Sequence, residues 1–365
     1  MRGLVTPSSE IGVVSGFVLK LIRGSLALTQ ADLAERLGVD ISTIQGWESG
    51  KRPLTAQRAA DLLRLKTRLT MLGAAPSVVA SFQNAIEADG ILTLAIAAGA
   101  QPINIDMNPL AAAVHRRNLV HMITWPFTGI APPHLRNLPS APGRGPVSKH
   151  PSLTHENQAR FFDHLLATVD SKNAAQSPVL QRQAMYLLGF DPRSGSAEWL
   201  SSKHRRAFTV RIASTNLPAG IAARSATIAL ARRGDSDPLR YFIKHTLNSE
   251  PHAAANLAYW AYWLGEITES YADDSYLIAG VDDYAWSGGR LADHLLQHLD
   301  DSVHSHLNIH SLWVLVLAKP DLLRGNQELR QRTARRVEHA LDAGFDGETR
   351  DELVNLRCAV QLAGR

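Results

Sequence analysis

One stretch near the N-terminus, L-T-Q-A-D-L-A-E-R-L-G-V-D-I-S-T-I-Q-G-W-E-S-G-K-R at positions 28–52, leaves little choice of local fold. Thr29 is a helix N-cap, and Asp32 three residues on completes an acidic variant of the capping box. Leu33, Ala34 and Leu37 then fall on one helical face. Gly38 supplies the left-handed backbone that ends the helix in a tight turn. Val39 is expected under that turn. Asp40 caps a second helix whose Ile44 and Trp47 face inward, and Gly50 closes it before the basic loop Lys51-Arg52-Pro53. Two short helices joined through a glycine turn form the geometry that can lay the second helix in a DNA major groove.

The charge supports that reading. The chain has 365 residues and a net charge of +4. Residues 13–72 hold nine bases and five acids, whereas residues 73–365 hold 28 of each. The whole excess therefore lies in the block that carries the two helices, the footprint of a nucleic-acid-binding module. A content of 45% hydrophobic and 20% charged residues excludes a mainly disordered chain, and the length suits two or three domains. The single cysteine, Cys358, excludes an internal disulfide framework and a cysteine-based zinc site, and fits a reducing compartment. Cys358 lies in an apolar helical pattern and is expected to be buried and inert. An excess of Arg over Lys often reflects a GC-rich bacterial genome, which is a reading of composition alone. No run approaches the ~18–20 apolar residues of a membrane span, and residues 11–22 lack the flanks of a signal peptide. A cytoplasmic, nucleoid-associated protein is expected.

The quoted residues T-Q-x-x-L-A-x-x-L-G-V-x-x-x-T-I-x-x-W-E-x-G-K-R resemble the lambda-repressor/Cro-type (XRE) helix-turn-helix family over residues 13–72. The resemblance implies a DNA-binding role, with Thr29 and Gln30 at the first motif helix and Gln30 on a phosphate. It places Ile41, Ser42, Gln45 and Gly46 on the groove-facing side of the recognition helix. Ser42 and Gln45 are the expected base readers, Gln pairing bidentately with adenine, and Ile41 suits a thymine methyl. Thr43, Lys51 and Arg52 are expected on the DNA backbone. Gly46 departs from the long polar residue often found there, which removes one base contact. Glu48 is expected to anchor the fold through an arginine.

Beyond this block the apolar spacing predicts helices almost throughout, among them separate helices over about 77–89 and 91–98, divided at Gly90, and one over about 109–124, and no alternating strands. The fold class is all-α: an N-terminal lambda-repressor-like helix-turn-helix domain, then a large helical domain of solenoid-like, tetratricopeptide-like stacking. The tetratricopeptide sequence pattern itself is not met. Expected divisions are 1–73 for the DNA-binding domain, 74–125 for a helical connector, 126–151 for a proline-rich linker or flap, and 152–365 for a helical sensor and dimerisation domain. The proline-rich segment carries Pro126, Pro132, Pro133, Pro139, Pro142, Pro146 and Pro151, too many to continue a helix.

In the helical body, Tyr259, Tyr262, Trp263 and Glu266 share one helical face, a candidate surface for a peptide or aromatic ligand, with ordinary packing as the competing reading. His294 and His298, and His306 and His310, stand at i,i+4, but a surface or core role outweighs metal binding, and no metal or cofactor is expected. The nine acids of residues 266–301 and the seven arginines of residues 324–357 could pair with each other. No P-loop, GxGxxG, GxSxG or Cys/His nucleophile context occurs, so an enzyme is not expected. The architecture is similar to the peptide-responsive RRNPP regulators, by analogy alone. The combined expectation is a sequence-specific transcriptional regulator, a repressor in preference to an activator. It would bind an inverted-repeat operator as a homodimer, modulated by a small molecule or peptide. The alternative is an antitoxin or phage-type repressor whose body binds a protein partner.

Overall fold

The structure, a computed structural model, describes residues 11–364 apart from 105–106, 137, 139–147, 172–176, 210–211, 214, 270, 272, 280–285, 301–302 and 346. Among the described residues every regular element is helical. The chain forms two compact units, Met1–Asp191 and Pro192–Arg365. The boundary falls within the stretch expected to be one sensor domain.

The first unit contains α1 (Val13–Ser25), α2 (Gln30–Leu37), α3 (Ile41–Glu48), α4 (Ala59–Met71), α5 (Pro76–Ala98), α6 (Pro109–Ala113), α7 (Arg117–Thr128), α8 (His155–Asp170) and α9 (Pro178–Leu188). α1 is buried on almost every side because it packs against α3 as well as α5 and α7. Its start is held from another helix. No side chain of its own turn caps it; instead the Asp89 carboxylate of α5 accepts from Val14 N at 3.0 Å and Ser15 N at 2.8 Å. A carboxylate suits this place because helix N-termini carry unpaired N–H groups and a positive dipole end. Thr93, one turn further along α5, accepts from Ile11 N at 3.0 Å. Phe17 of α1 meets Trp125 of α7 edge to face at 5.1 Å.

Two helices differ from the sequence expectation. Residues 77–89 and 91–98, expected as separate helices, form the single α5 through Gly90. The expected helix 109–124 is instead α6 and α7, and α7 runs through Pro126 to Thr128. Pro126 lacks the N–H that would donate to the carbonyl of Met122, and the helix ends soon after it, closed by Gly129 at φ +67°. Residues 139–147 of the proline-rich segment lie outside the described residues.

The second unit contains α10 (Ser194–Thr209), α11 (Leu217–Ala231), α12 (Asp237–Phe242), α13 (Glu250–Leu264), α14 (Tyr276–Ala279), α15 (Gly289–Gln297), α16 (Ser305–Ala318), α17 (Asp321–Arg324), α18 (Gln327–Asp342) and α19 (Gly347–Leu362). α12 runs on into a π-helical turn over Ile243–Leu247. α16 is apolar nearly all round because α13, α15 and α19 all pack on it. One chain of polar groups joins three helices inside the unit. Arg224 Nε of α11 donates to Asn256 Oδ1 of α13 at 2.7 Å, and Asn256 Nδ2 donates to Ser311 Oγ of α16 at 3.0 Å. The Arg224 guanidinium also lies over the Tyr259 and Trp260 rings at 4.7 and 4.6 Å. Cys358 is exposed, which corrects the expectation of a buried thiol: Leu356 and Val360 take the inward positions of α19 and Cys358 takes the outer side.

Candidate nucleic-acid interface

The Thr29 cap holds α2 in both directions. Its Oγ1 accepts from Asp32 N at 3.1 Å, and Asp32 Oδ2 accepts from Thr29 N at 2.8 Å and from the Thr29 hydroxyl at 2.7 Å. These bonds hold the Asp32 carboxyl below the usual carboxylate range. At the other end Gly38 adopts φ +67°, and its neighbour Val39 donates to Ala34 O at 3.0 Å. Val39 is half-buried rather than enclosed beneath the turn. Arg68 of α4 donates to Leu37 O and closes the turn from outside.

α3 begins at Asp40, whose Oδ1 accepts from Ser42 N at 2.7 Å. Ile44 is fully buried and Trp47 is 8% exposed. The helix is fixed at its far end by a buried ion pair. Arg23 Nε reaches Glu48 Oε1 at 2.6 Å, Arg23 Nη2 reaches Oε2 at 3.0 Å, and Nη1 donates to Leu28 O at 2.9 Å. Both side chains are about 5% exposed. Gln30 Nε2 adds a third donor to Glu48 Oε2, at 2.7 Å. Glu48 therefore draws α1, α2 and α3 together, with its charge met by three side-chain donors. Gly16 completes the fit: a Cβ there would collide with the Trp47 carbonyl oxygen, so α1 approaches α3 this closely only through a glycine.

What remains outward is the face expected to read DNA. Ile41, Ser42 and Gln45 are exposed on α3, with Ser49, Lys51 and Arg52 beyond them. Thr29 is exposed and Gln30 half-buried at the start of α2. Thr43 and Gly46 are half-buried, and Arg52 Nη1 donates to Thr43 Oγ1 at 3.1 Å. Arg23 was not singled out among the candidate residues. Its signal is the Glu48 carboxylate on the inner side of a short helix, but the partner lies 25 residues away.

Residues 19–65 match a family model described as Helix-turn-helix. The N-terminal domain is an XRE-type helix-turn-helix. With it the chain carries the DNA-binding module of a transcription regulator. No curated protein and no solved structure matches the chain. Among the described residues no single helix is long and apolar enough to cross a membrane.

Outside the XRE-type domain, the expected aromatic face is occupied by the second unit itself. Tyr259 and Tyr262 are buried, at 9% and 2% exposure, and Tyr262 stacks on Tyr276 at 4.4 Å. Trp263 packs edge to face on Tyr262 at 6.3 Å. Glu266 accepts from Ser287 Oγ at 2.8 Å and Leu291 N at 2.9 Å, which caps α15. Tyr259 and Tyr262 belong to the core of the unit, whereas Trp263 and Glu266 are half-buried at its edge. The acidic and arginine-rich runs do pair: Arg332 with Asp293 at 2.8 Å and Arg336 with Asp300 at 3.0 Å. Asp282, Asp283 and Asp301 of the acidic run lie outside the described residues. His310 pairs with Glu352 at 2.6 Å and His306 with Thr349 at 2.9 Å, while burial pushes the His294 imidazole down to about 4. Among the described residues no three His, Cys, Asp or Glu side chains gather as metal ligands.

Proposed function

We propose that the protein is a sequence-specific regulator, a repressor in preference to an activator, that binds an inverted-repeat operator as a homodimer. The observation that carries this is the division of α3. Ile44, Trp47 and Glu48 are spent on the fold, and Ile41, Ser42 and Gln45 stand exposed on the other side. In this reading Ser42 and Gln45 read base edges and Ile41 meets a thymine methyl. Lys51, Thr29 and the second N–H of Gln30 hold phosphates. The dimer contact is assigned to the outward side of α4, where Leu63 and Met71 are 63% and 82% exposed. A single module reads few base pairs, and two-fold pairing doubles the site.

The second unit contributes none of these residues, and we assign it the control of DNA binding by a small molecule or peptide. One of its surface depressions, about 490 Å3, is bordered by Asp293 as well as Arg332, Arg335 and Arg336; Arg332 pairs with Asp293 and Arg336 with Asp300, and the exposed Arg335 is the group there that suits an anionic ligand. No catalytic role is proposed, and action in the cytoplasm on the nucleoid follows from the DNA target. The test is selection of bound duplexes from a random pool by the full chain, followed by footprinting. Two half-sites about one DNA turn apart are expected; a selected pool without sequence preference would sink the proposal. Release from the selected duplex by a metabolite or peptide extract supports the sensing role, whereas release only by a protein favours a protein-partnered repressor.

A further inference from the structure

Position 46 is the one place on the reading side of α3 with no side chain, and the space is filled. A Cβ at Gly46 would lie 2.8 Å from Arg52 Cδ, 2.9 Å from Cγ and 3.3 Å from Cβ. The aliphatic stem of Arg52 is therefore laid across Gly46. The backbone fixes this course, because Arg52 N donates to Gly46 O at 3.0 Å. From there the guanidinium runs back toward the start of α3 and donates from Nη1 to Thr43 Oγ1 at 3.1 Å. It also lies near enough to Asp40 to add, after the Ser42 hydrogen bonds, to the lowering of that carboxyl. Arg52 remains exposed.

Several consequences follow from this placement. At 3.6 residues per turn, positions 42, 43 and 46 lie on one side of α3, with position 46 between the other two. A guanidinium lying along that side is carried by the helix rather than by the loop it comes from. One of its five N–H donors is held by Thr43, which fixes the direction of the fork and leaves the other donors for a partner. A planar fork held at the edge of a recognition helix matches the paired O6 and N7 acceptors of guanine in the major groove. A loop arginine that only neutralised phosphate would have no need of a glycine under its stem.

We propose that Arg52 reads a guanine, supplying from the loop after α3 the base contact that Gly46 has no side chain to make. This rests on the DNA-binding reading above. The experiment is duplex selection by the full chain and by Arg52→Ala, Arg52→Lys and Gly46→Gln. The selected duplex is then remade with 7-deazaguanine, which lacks the N7 acceptor, at the assigned base pair. The wild type is expected to select a guanine in each half-site. Arg52→Ala should lose roughly 5- to 150-fold of preference at that base pair alone, and Arg52→Lys should regain part of it. Gly46→Gln, which removes the bed of the Arg52 stem, should change the preferred base at the same position. Replacing N7 should weaken the wild type and leave Arg52→Ala unaffected. A wild type that selects no sequence would overturn the DNA-reading proposal and this one with it. A wild type that selects a site while Arg52→Ala keeps the same guanine and merely binds every duplex more weakly would overturn this inference alone, leaving Arg52 a phosphate clamp.

Discussion

Gln45 is exposed on α3 and has a side chain that can both donate to and accept from adenine. Gln45→Ala is expected to lose discrimination at one or two base pairs, about 1–3 kcal/mol, with little change in thermal stability. Competition binding with single-base operator variants checks it. Lys51→Ala should weaken all duplexes alike and make the salt dependence shallower by about one unit of slope. Arg23 behaves in the opposite way. Arg23→Ala strands the Glu48 carboxylate under α3, and about 3–5 kcal/mol of stability should be lost; Arg23→Lys should recover little, since one ammonium cannot reproduce the two-point contact. Denaturant unfolding of the three proteins would expose the error if Lys proved as good as Arg. The inner and outer residues of α3 were legible from sequence because Ile44 and Trp47 are apolar at helical spacing. Arg23 was not, since nothing local marks which arginine a distant carboxylate will take. Cys358 misled for a related reason: apolar neighbours in the chain do not say which side of the helix a residue occupies.

At the scale of elements, α2 and α3 start and stop where their punctuation says, at Thr29, Gly38 and Asp40, because caps act within one turn. α5 was less legible. Gly90 reads as a break, yet packing along both sides carries the helix through it. Nor does Asp89, one of two acids in an otherwise apolar helix, announce that it caps α1. Burial pushes the Asp89 carboxyl up to about 7, against hydrogen bonds from Ser15 and Val14 that favour its charged form. Its pKa is thus higher folded than the ordinary value of 3.8, so folding takes up a proton between about 4 and 7. The stability this group contributes is full below about 4 and is lost as pH rises through 7, with a slope of at most about 1.4 kcal/mol per pH unit. His121, pushed down to about 4 mainly by burial, acts in the opposite sense. The difference between wild type and Asp89→Asn isolates the aspartate: unfolding titrated from pH 5 to 8 should be flatter in this respect for Asn, and parallel curves would refute the assignment. For α4, Leu63→Glu is expected to shift the dimer to monomer by light scattering and to reduce operator affinity while leaving the fold intact.

For the whole molecule, the relevant unit of folding is larger than the motif. A fragment of residues 1–73 lacks Asp89, Thr93 and Trp125, which close one side of α1. It should be largely unfolded by circular dichroism, whereas residues 1–191 should fold and retain DNA binding. The sequence marks the DNA-reading motif but not this partnership, because α1 looks like the first helix of a self-sufficient domain until its second neighbour is seen. The ion pair beneath α3 has one more consequence. Since Arg23, Gln30 and Glu48 secure the helix from below, Ile41, Ser42 and Gln45 are not needed to hold it in place. A library randomised at those three positions should consist mostly of folded proteins, and operator preference could then be rewritten by selection without a matching loss of structure.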